Sequence, residues 1–319
     1  MTPRLIMKLE VSAVADAAPG VRVLTFRHRL RPTLPEPEPG AHVDLHLPDG
    51  RVRQYSLCGD PADATRYTIA VKLEPEGRGG SRWVHQQLQP GAVVPVSAPR
   101  NHFRLAEGAR QHVLVAGGIG ITPIAAMARH LARCGAAFEL HYCVRDEASA
   151  PLLPELQAAC GTRLHLWRSG GDVTSRFDPH RLSPPPQPGT HLYCCGPHRL
   201  VDAVLTASAG WPAGSVHVEH FAPLCDAGFV PEAFQLGIAS TGATLEVPAG
   251  RSALDVLREH GFMHPSSCGI GVCGACECGY RVADGSTVIH RDVAIDDAAR
   301  AHRMTPCVSR ARGRVLLDL

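Results

Sequence analysis

The chain has 319 residues, a formal net charge of +2 and a hydrophobic fraction of 45%. That length predicts two or three domains, and the apolar fraction is enough to give each a core. A near-neutral balance without a basic block or stripe excludes nucleic acid as the main partner.

Residues 1–106 read as antiparallel β structure. Met1–Gly20 lacks a signal-peptide core, because Arg4, Lys8 and Glu10 interrupt it. Short alternating runs recur at Met7–Val11, Val21–Phe26, His42–Leu47 and Tyr67–Val71, separated by Pro/Gly-rich joints such as Leu34–Gly40. Closely spaced strands with turn signals predict a small barrel. Trp83, Val84 and Leu88 fall at helical spacing and predict a helix over Ser81–Leu88. Two features here carry chemistry. Arg53-Gln54-Tyr55-Ser56 lies on a strand edge, and Gly77, Gly79, Gly80 and Ser81 form a glycine-rich loop opening the helix. A helix N-terminus with free N–H groups and a hydroxyl suits a phosphate. Arg53 offers a cation, and Tyr55 an aromatic face or a hydroxyl. Each motif alone is also an ordinary surface strand or loop.

From Ala109 the rhythm changes. Gln111–Ala128 is an uncharged run of membrane-spanning length, but Gly117-Gly118, Gly120 and Thr122-Pro123 break it into strand, turn and helix start. His112–Ala116 is a continuous apolar strand of the kind a parallel sheet buries, and a helix is expected from Ile124 to Cys134. Phe138–Val144, Arg163–Trp167, His191–Cys195 and Val216–Phe221 read as further strands, with helices over Pro154–Cys160 and Leu200–Ala209. Repeated βα units predict a parallel sheet with ligands at the strand C-termini, where Gly118–Pro123 and Cys195–Pro197 both fall. The first of these turns does not match the G-x-G-x-x-G fingerprint.

Ala222–Glu232 reads as a linker. Phe234–Ile238 and Thr244–Val247 form a hairpin and Ser252–Glu259 a helix, while His290-Arg291-Asp292 is expected in a turn or short helix. Cys268, Cys273 and Cys276 follow C-x4-C-x2-C, and Cys307 stands thirty residues further on. This is the plant-type [2Fe–2S] ligand spacing, with small residues between ligands that let backbone N–H groups reach the sulfurs. A four-cysteine zinc site is the alternative, but it ordinarily shows two short knuckles rather than one elongated run and a lone fourth ligand. Cys278 reads as a non-ligand. The remaining cysteines lack a disulfide rhythm and fit a reducing cytoplasm, and the histidines read as surface or core residues.

These motifs, taken in order along the whole chain, resemble the phthalate dioxygenase reductase and vanillate demethylase reductase branch of the ferredoxin–NADP reductase superfamily. The resemblance implies a multidomain α+β and α/β protein: a flavin-binding antiparallel β-barrel (1–106), an NAD-binding α/β domain with a parallel sheet (107–223), a linker (224–233) and a β-grasp ferredoxin domain (234–319). It implies a flavin site at Arg53, Gln54, Tyr55, Ser56, Ala70, Val71, Lys72, Gly77, Gly79, Gly80 and Ser81, with Phe221 over the flavin ring. No adenine-binding insertion is evident, which favours FMN over FAD. It implies a nicotinamide nucleotide at Gly118, Gly120, Thr122, Pro123, Arg145, Asp146, Cys195, Gly196 and Pro197. Thr122 and Cys195 would border hydride transfer, and Asp146 would repel the 2′-phosphate of NADPH. The implied route runs from NADH to FMN, then through the cluster on Cys268, Cys273, Cys276 and Cys307 to a separate terminal oxygenase of Rieske type. The rivals are a reductase for a cytochrome P450 or another monooxygenase, and a non-catalytic redox sensor. The protein is expected to be a monomer with no membrane partner.

Overall fold

Alternating burial builds the first sheet. In β1 (Ile6–Ala18) Met7, Leu9 and Val11 point inward, and β2 (Val21–Arg27) adds Leu24 and Phe26. With β3 (His42–His46), β4 (Val52–Ser56), β5 (Tyr67–Lys72) and β6 (Val93–Ser97) they form an antiparallel sheet in the order β4-β3-β6-β1-β2-β5. An antiparallel bridge from Leu57, just past β4, to Ile69 in β5 closes it into a barrel. The barrel interior is filled by Leu9, Leu24, Phe26, Val43, Leu45, Ile69 and Val96. The helix α1 (Gly80–Gln87) buries Val84 against this core and starts one residue earlier than expected.

The structure, a computed structural model, describes residues 5–183, 186–223, 228–283 and 285–319. It divides into two compact units, Met1–Phe221 and Ala222–Leu319.

The second sheet of the first unit is parallel: β7 (Gln111–Gly117), β8 (Ala137–Val144), β9 (Leu164–Arg168), β10 (Thr190–Cys195) and β11 (Val216–Glu219), in the order β11-β10-β7-β8-β9. Helices α2 (Ile121–Arg133) and α3 (Leu153–Cys160) pack on the face carrying Leu114, Leu140 and Tyr193. Helix α4 (His198–Ala207) packs on the face carrying Val113, Leu192 and Cys194. The chain leaves β7 toward β8 and later returns on the other side at β10. This reversal opens a crevice at the C-terminal ends of those two strands. Two expectations shift. Helix α2 begins at Ile121 rather than Ile124, because Pro123 is tolerated in a first turn, where its missing N–H has no intrahelical partner. Strand β11 stops at Glu219, so Phe221 lies beyond the sheet, with 38% of its surface exposed.

The boundary expected at residues 106/107 falls inside one compact unit, because the two sheets share a core. Val21, Cys58, Ala70 and Phe103 from the barrel half pack in one cluster with Leu114, Ile121 and Met127. The Ala106 N–H donates to the Tyr193 hydroxyl at 2.7 Å, and the Phe103 ring meets Tyr193 edge-on.

In the second unit, β12 (Phe234–Ile238) pairs antiparallel with β13 (Thr244–Val247), and Ser252 caps α5 (Ala253–Glu259) by accepting the Asp255 N–H at 3.1 Å. The strands β14 (Cys278–Val282), β15 (Thr287–Ile289), β16 (Arg303–Met304), β17 (Arg310–Arg312) and β18 (Arg314–Leu317) follow. One sheet has the order β13-β12-β18-β14-β16, and β15 pairs with β17. The parallel pairing of β12 with β18 and the helix packed on the sheet make a β-grasp fold. His290-Arg291-Asp292 form neither turn nor helix. They run as irregular chain, held where the Val293 N–H donates to the Gly271 carbonyl. Of the expected linker, residues 224–227 lie outside the described residues. Phe229 lies under the Arg291 guanidinium, and the Glu232 carbonyl accepts from Arg310, so the end of that segment is fastened to its own unit. No helix among the described residues is long and apolar enough to cross a membrane.

Phe103→Ala should cost about 3–5 kcal/mol, the usual loss for a buried Phe. Chemical denaturation of the chain without its second unit should show barrel and parallel sheet unfolding in one transition. Two separated transitions would contradict the shared core.

Candidate redox sites

The first site gathers around the start of α1. Arg53 and Tyr55 alternate on β4 and share a face with Leu45 and Val43, their partners on β3, so they look toward the barrel core. Tyr55 packs against that core, and burial pushes its hydroxyl up to about 12. Gln54 and Ser56 take the opposite face, where the Gln54 amide lies 3.2 Å from His42 Nε2. Arg51 donates to the Arg78 carbonyl, and Arg53 reaches the same oxygen at 3.4 Å. The first turn of α1 contains no acid, and its cap, Gly79, has a left-handed backbone with no side-chain cap. A Cβ on Gly79 would come within 2.7 Å of Arg51 Nη1, and one on Gly80 would run into Arg53. Burial, then Arg78 and Arg51, lower the affinity of Arg53 for its proton. Guanidinium groups that repel one another beside a helix N-terminus favour an anion, which fits a flavin phosphate. Ser81 has a local role as well, since its hydroxyl accepts the Glu74 N–H at 3.0 Å. Gly77 turns the loop through its N–H to the Glu74 carbonyl. On β5, Ala70 faces the core shared with the parallel sheet, Val71 faces the barrel interior, and Lys72 is exposed and pairs with Glu74 at 2.9 Å.

The second site is the crevice between β7 and β10. The turn Gly117–Gly120 and the turn Cys195–Pro197 pack backbone on backbone. A Cβ on Gly117 would meet Pro197 Cδ at 2.7 Å, and one on Gly120 would overlap the Cys195 carbonyl and reach Gly196 N at 2.7 Å. Gly118 adopts φ of 53°, which glycine adopts without strain. Thr122 is buried and donates to the Ile119 carbonyl at 3.1 Å. Cys195 is fully buried, and burial, then Glu219 and Cys194, hold its thiol protonated. Cys194 belongs to the core on the other face. Asp146 is engaged at the end of β8, where its carboxylate accepts the Ser149 N–H at 2.9 Å and pairs with Arg145 at 3.0 Å.

Glu219 was not singled out from the sequence, yet it pairs in register with Cys195 at the rim of this crevice. Its Oε2 is buried with no hydrogen-bond partner among the described residues, and burial pushes the carboxyl up to about 8. An acid in the otherwise apolar alternation of Val216 and Val218 was the available signal.

The third site is the cysteine loop. The Cys268 and Cys273 thiols lie within reach of each other, as do those of Cys276 and Cys307, and no disulfide joins either pair. Four thiols paired two and two match a dinuclear centre, in which each iron takes two thiolates. A single zinc ion needs all its ligands round one point. Gly269, Gly271 and Gly274 have φ of 65°, 78° and 65°, which turn N–H groups inward. The Ile270 N–H lies 3.4 Å from Cys268 Sγ. The Cys273 contact first, and then the N–H groups of Ile270, Val272 and Cys273, lower the Cys268 thiol to about 5. The donor set therefore fits a [2Fe–2S] cluster. Cys278 is buried in the sheet core and points at the Met304 carbonyl.

Together these sites define a reductase that takes electrons from a nicotinamide nucleotide and releases them through an iron–sulfur cluster. Residues 97–216 match the N-terminal domain of dimethylamine monooxygenase subunit DmmA-like proteins, and 237–312 match the 2Fe-2S iron-sulfur cluster binding domain. The chain is 42% identical to the reductase subunit of tert-butanol monooxygenase / tert-amyl alcohol desaturase from Aquincola tertiaricarbonis, over 99% of this chain and 97% of that one. It is 39% identical to the phthalate 4,5-dioxygenase reductase subunit of Pseudomonas putida, over 98% and 96%. The solved structure of phthalate dioxygenase reductase superposes with a TM-score of 0.80 at 35% identity, covering 98% of each chain. The chain belongs to the phthalate dioxygenase reductase family, the oxidoreductases that serve as reductase components of oxygenase systems. The 237–312 match assigns the second unit a [2Fe–2S] cluster.

Glu219 generates a prediction with a defined sign. Its folded value of about 8 lies above the ordinary 4.5, so the folded state holds the extra proton and this group erodes stability as pH rises from about 4.5 to 8. Glu219→Gln should flatten the decline in melting temperature over that window while slowing hydride transfer in stopped-flow reduction. An unchanged stability profile would show that the carboxyl is not buried as described.

Proposed function

We propose that this chain draws electrons from NADH and delivers them one at a time to a terminal oxygenase of Rieske type, acting as a monomer in the cytoplasm. The two-and-two pairing of Cys268 with Cys273 and Cys276 with Cys307 carries this reading, because a dinuclear centre is a one-electron outlet. When bound, a flavin here would supply a two-electron hydride acceptor for NADH and the cluster a one-electron outlet. Arg53, with the N–H groups of Gly79, Gly80 and Ser81, would hold the flavin phosphate, and Tyr55 would border the ring. Gly118, Gly120, Thr122, Pro123, Gly196 and Pro197 shape the crevice for the nicotinamide nucleotide. Thr122 and Cys195 line the place of transfer, and neutral Cys195 adds no charge there. Phe221, exposed beyond β11, would cover the flavin ring. No disulfide joins any cysteines among the described residues, which supports a reducing compartment.

Asp146 is held low by Ser149 and then by Arg145, so a fixed anion stands where a 2′-phosphate would come. NADPH should therefore give kcat/KM at least about tenfold below NADH, the equivalent of ~1.4 kcal/mol. Equal or better turnover with NADPH would overturn the assignment. Flavin released from purified protein should chromatograph as FMN, and an FAD peak would defeat that part of the reading.

A chain ending at Asp226 should bind flavin and oxidise NADH with ferricyanide at close to the full rate. It should lose most cytochrome c reduction and all support of its oxygenase. Cys273→Ser in the full chain should do the same, with added loss of stability in the second unit as the metal-linked folding energy disappears. Normal oxygenase turnover by the truncated chain would make the flavin the direct donor.

A further inference from the structure

Behind the cysteine loop lies a buried carboxylate that the electron route leaves unexplained. Asp292 is 1% exposed. The Val293 N–H donates to the Gly271 carbonyl at 3.0 Å, and a Cβ on Gly271 would come within 3.1 Å of Asp292 Cα. Asp292 therefore backs directly on the turn between Cys268 and Cys273. Its Oδ1 accepts the Ile295 N–H at 3.0 Å and so caps the turn that follows. Its Oδ2 is buried with no hydrogen-bond partner among the described residues. His290 Nδ1 stands 3.7 Å away, at ion-pair rather than hydrogen-bond distance, and has no hydrogen-bond partner among the described residues. Arg300 donates to the Asp292 backbone carbonyl and to Asp297, so that guanidinium does not reach the Asp292 carboxylate.

Capping one N–H needs one acceptor, which serine or asparagine supplies without burying a charge. The second oxygen is costly unless it acts on something. We propose that Asp292 tunes the cluster, its fixed negative charge behind the Cys268–Cys273 turn lowering the reduction potential. This rests on the [2Fe–2S] reading of the four cysteines. Reduction adds one electron to a centre already surrounded by four thiolates, and a neighbouring anion in a poorly screened interior makes that electron harder to accept. The reduced cluster is then the stronger donor to its acceptor.

The test uses the full holoprotein, with iron and labile sulfide measured first and the cluster's midpoint potential then followed by spectroelectrochemical titration. Asp292→Asn and Asp292→Ser both retain an acceptor for the Ile295 N–H and remove the charge. Both should raise the potential, increasing the reduced-to-oxidised ratio at a fixed applied potential about tenfold, which is 59 mV for a one-electron couple. Asp292→Glu keeps the charge and should stay near the parent. A fully loaded Asp292→Asn protein with the parent's potential overturns the proposal. So does failure of both neutral variants to assemble the cluster, which would make Asp292 a folding residue only. A parent chain lacking two irons and two sulfides removes the cluster assignment itself, and is told apart by the initial analysis.

Discussion

The nucleotide site depends on how closely two backbones approach at the ends of β7 and β10. Gly117 and Gly120 on one side and Cys195-Gly196 on the other meet with no room for a side-chain carbon between them. That contact fixes the width of the crevice, sets the buried Cys195 against the start of α2, and brings Glu219 alongside it through the β10–β11 register. Because β7 and β10 are neighbours only where the strand order reverses, the contact also follows from the topology of the sheet. A larger residue at Gly120 would force the two turns apart and with them the Thr122 and Cys195 walls.

Charge is distributed along the chain according to the task at each site. Arginines and an acid-free helix start prepare the barrel for a phosphate. The crevice is lined by groups that burial holds neutral, Cys195 and Glu219 among them. At the cysteine loop the backbone supplies the donors, through glycines in left-handed conformations that other residues adopt only with strain.

The shared core of the first unit has its own consequence. Phe103, Met127 and Tyr193 bind barrel to parallel sheet, so the proposed flavin and nucleotide sites share one continuous packed body. Packed interiors resist small displacements, which keeps the two sites in register with each other. The second unit has a separate core built on Phe234, Leu236, Val256 and Val315.

The sequence by itself determined the local elements and the chemistry carried by spacing. The C-x4-C-x2-C run with Cys307, the glycine loop at Gly79-Gly80 and the strand–turn–helix at Gly117–Pro123 are all contiguous or regularly spaced, and local periodicity and turn chemistry reveal such patterns directly. Tertiary structure alone decided what depends on long-range pairing. The order of the parallel strands placed Glu219 beside Cys195, residues that no local rule connects. The pairing of β4 with β3 set the Gln54 amide 3.2 Å from His42, twelve residues away in sequence. Core packing merged two expected domains into one unit, and the return of residues 290–294 onto Gly271 set Asp292 behind the cysteine loop. Each of these follows from burial of side chains distant in sequence, a balance that a single strand or helix does not contain.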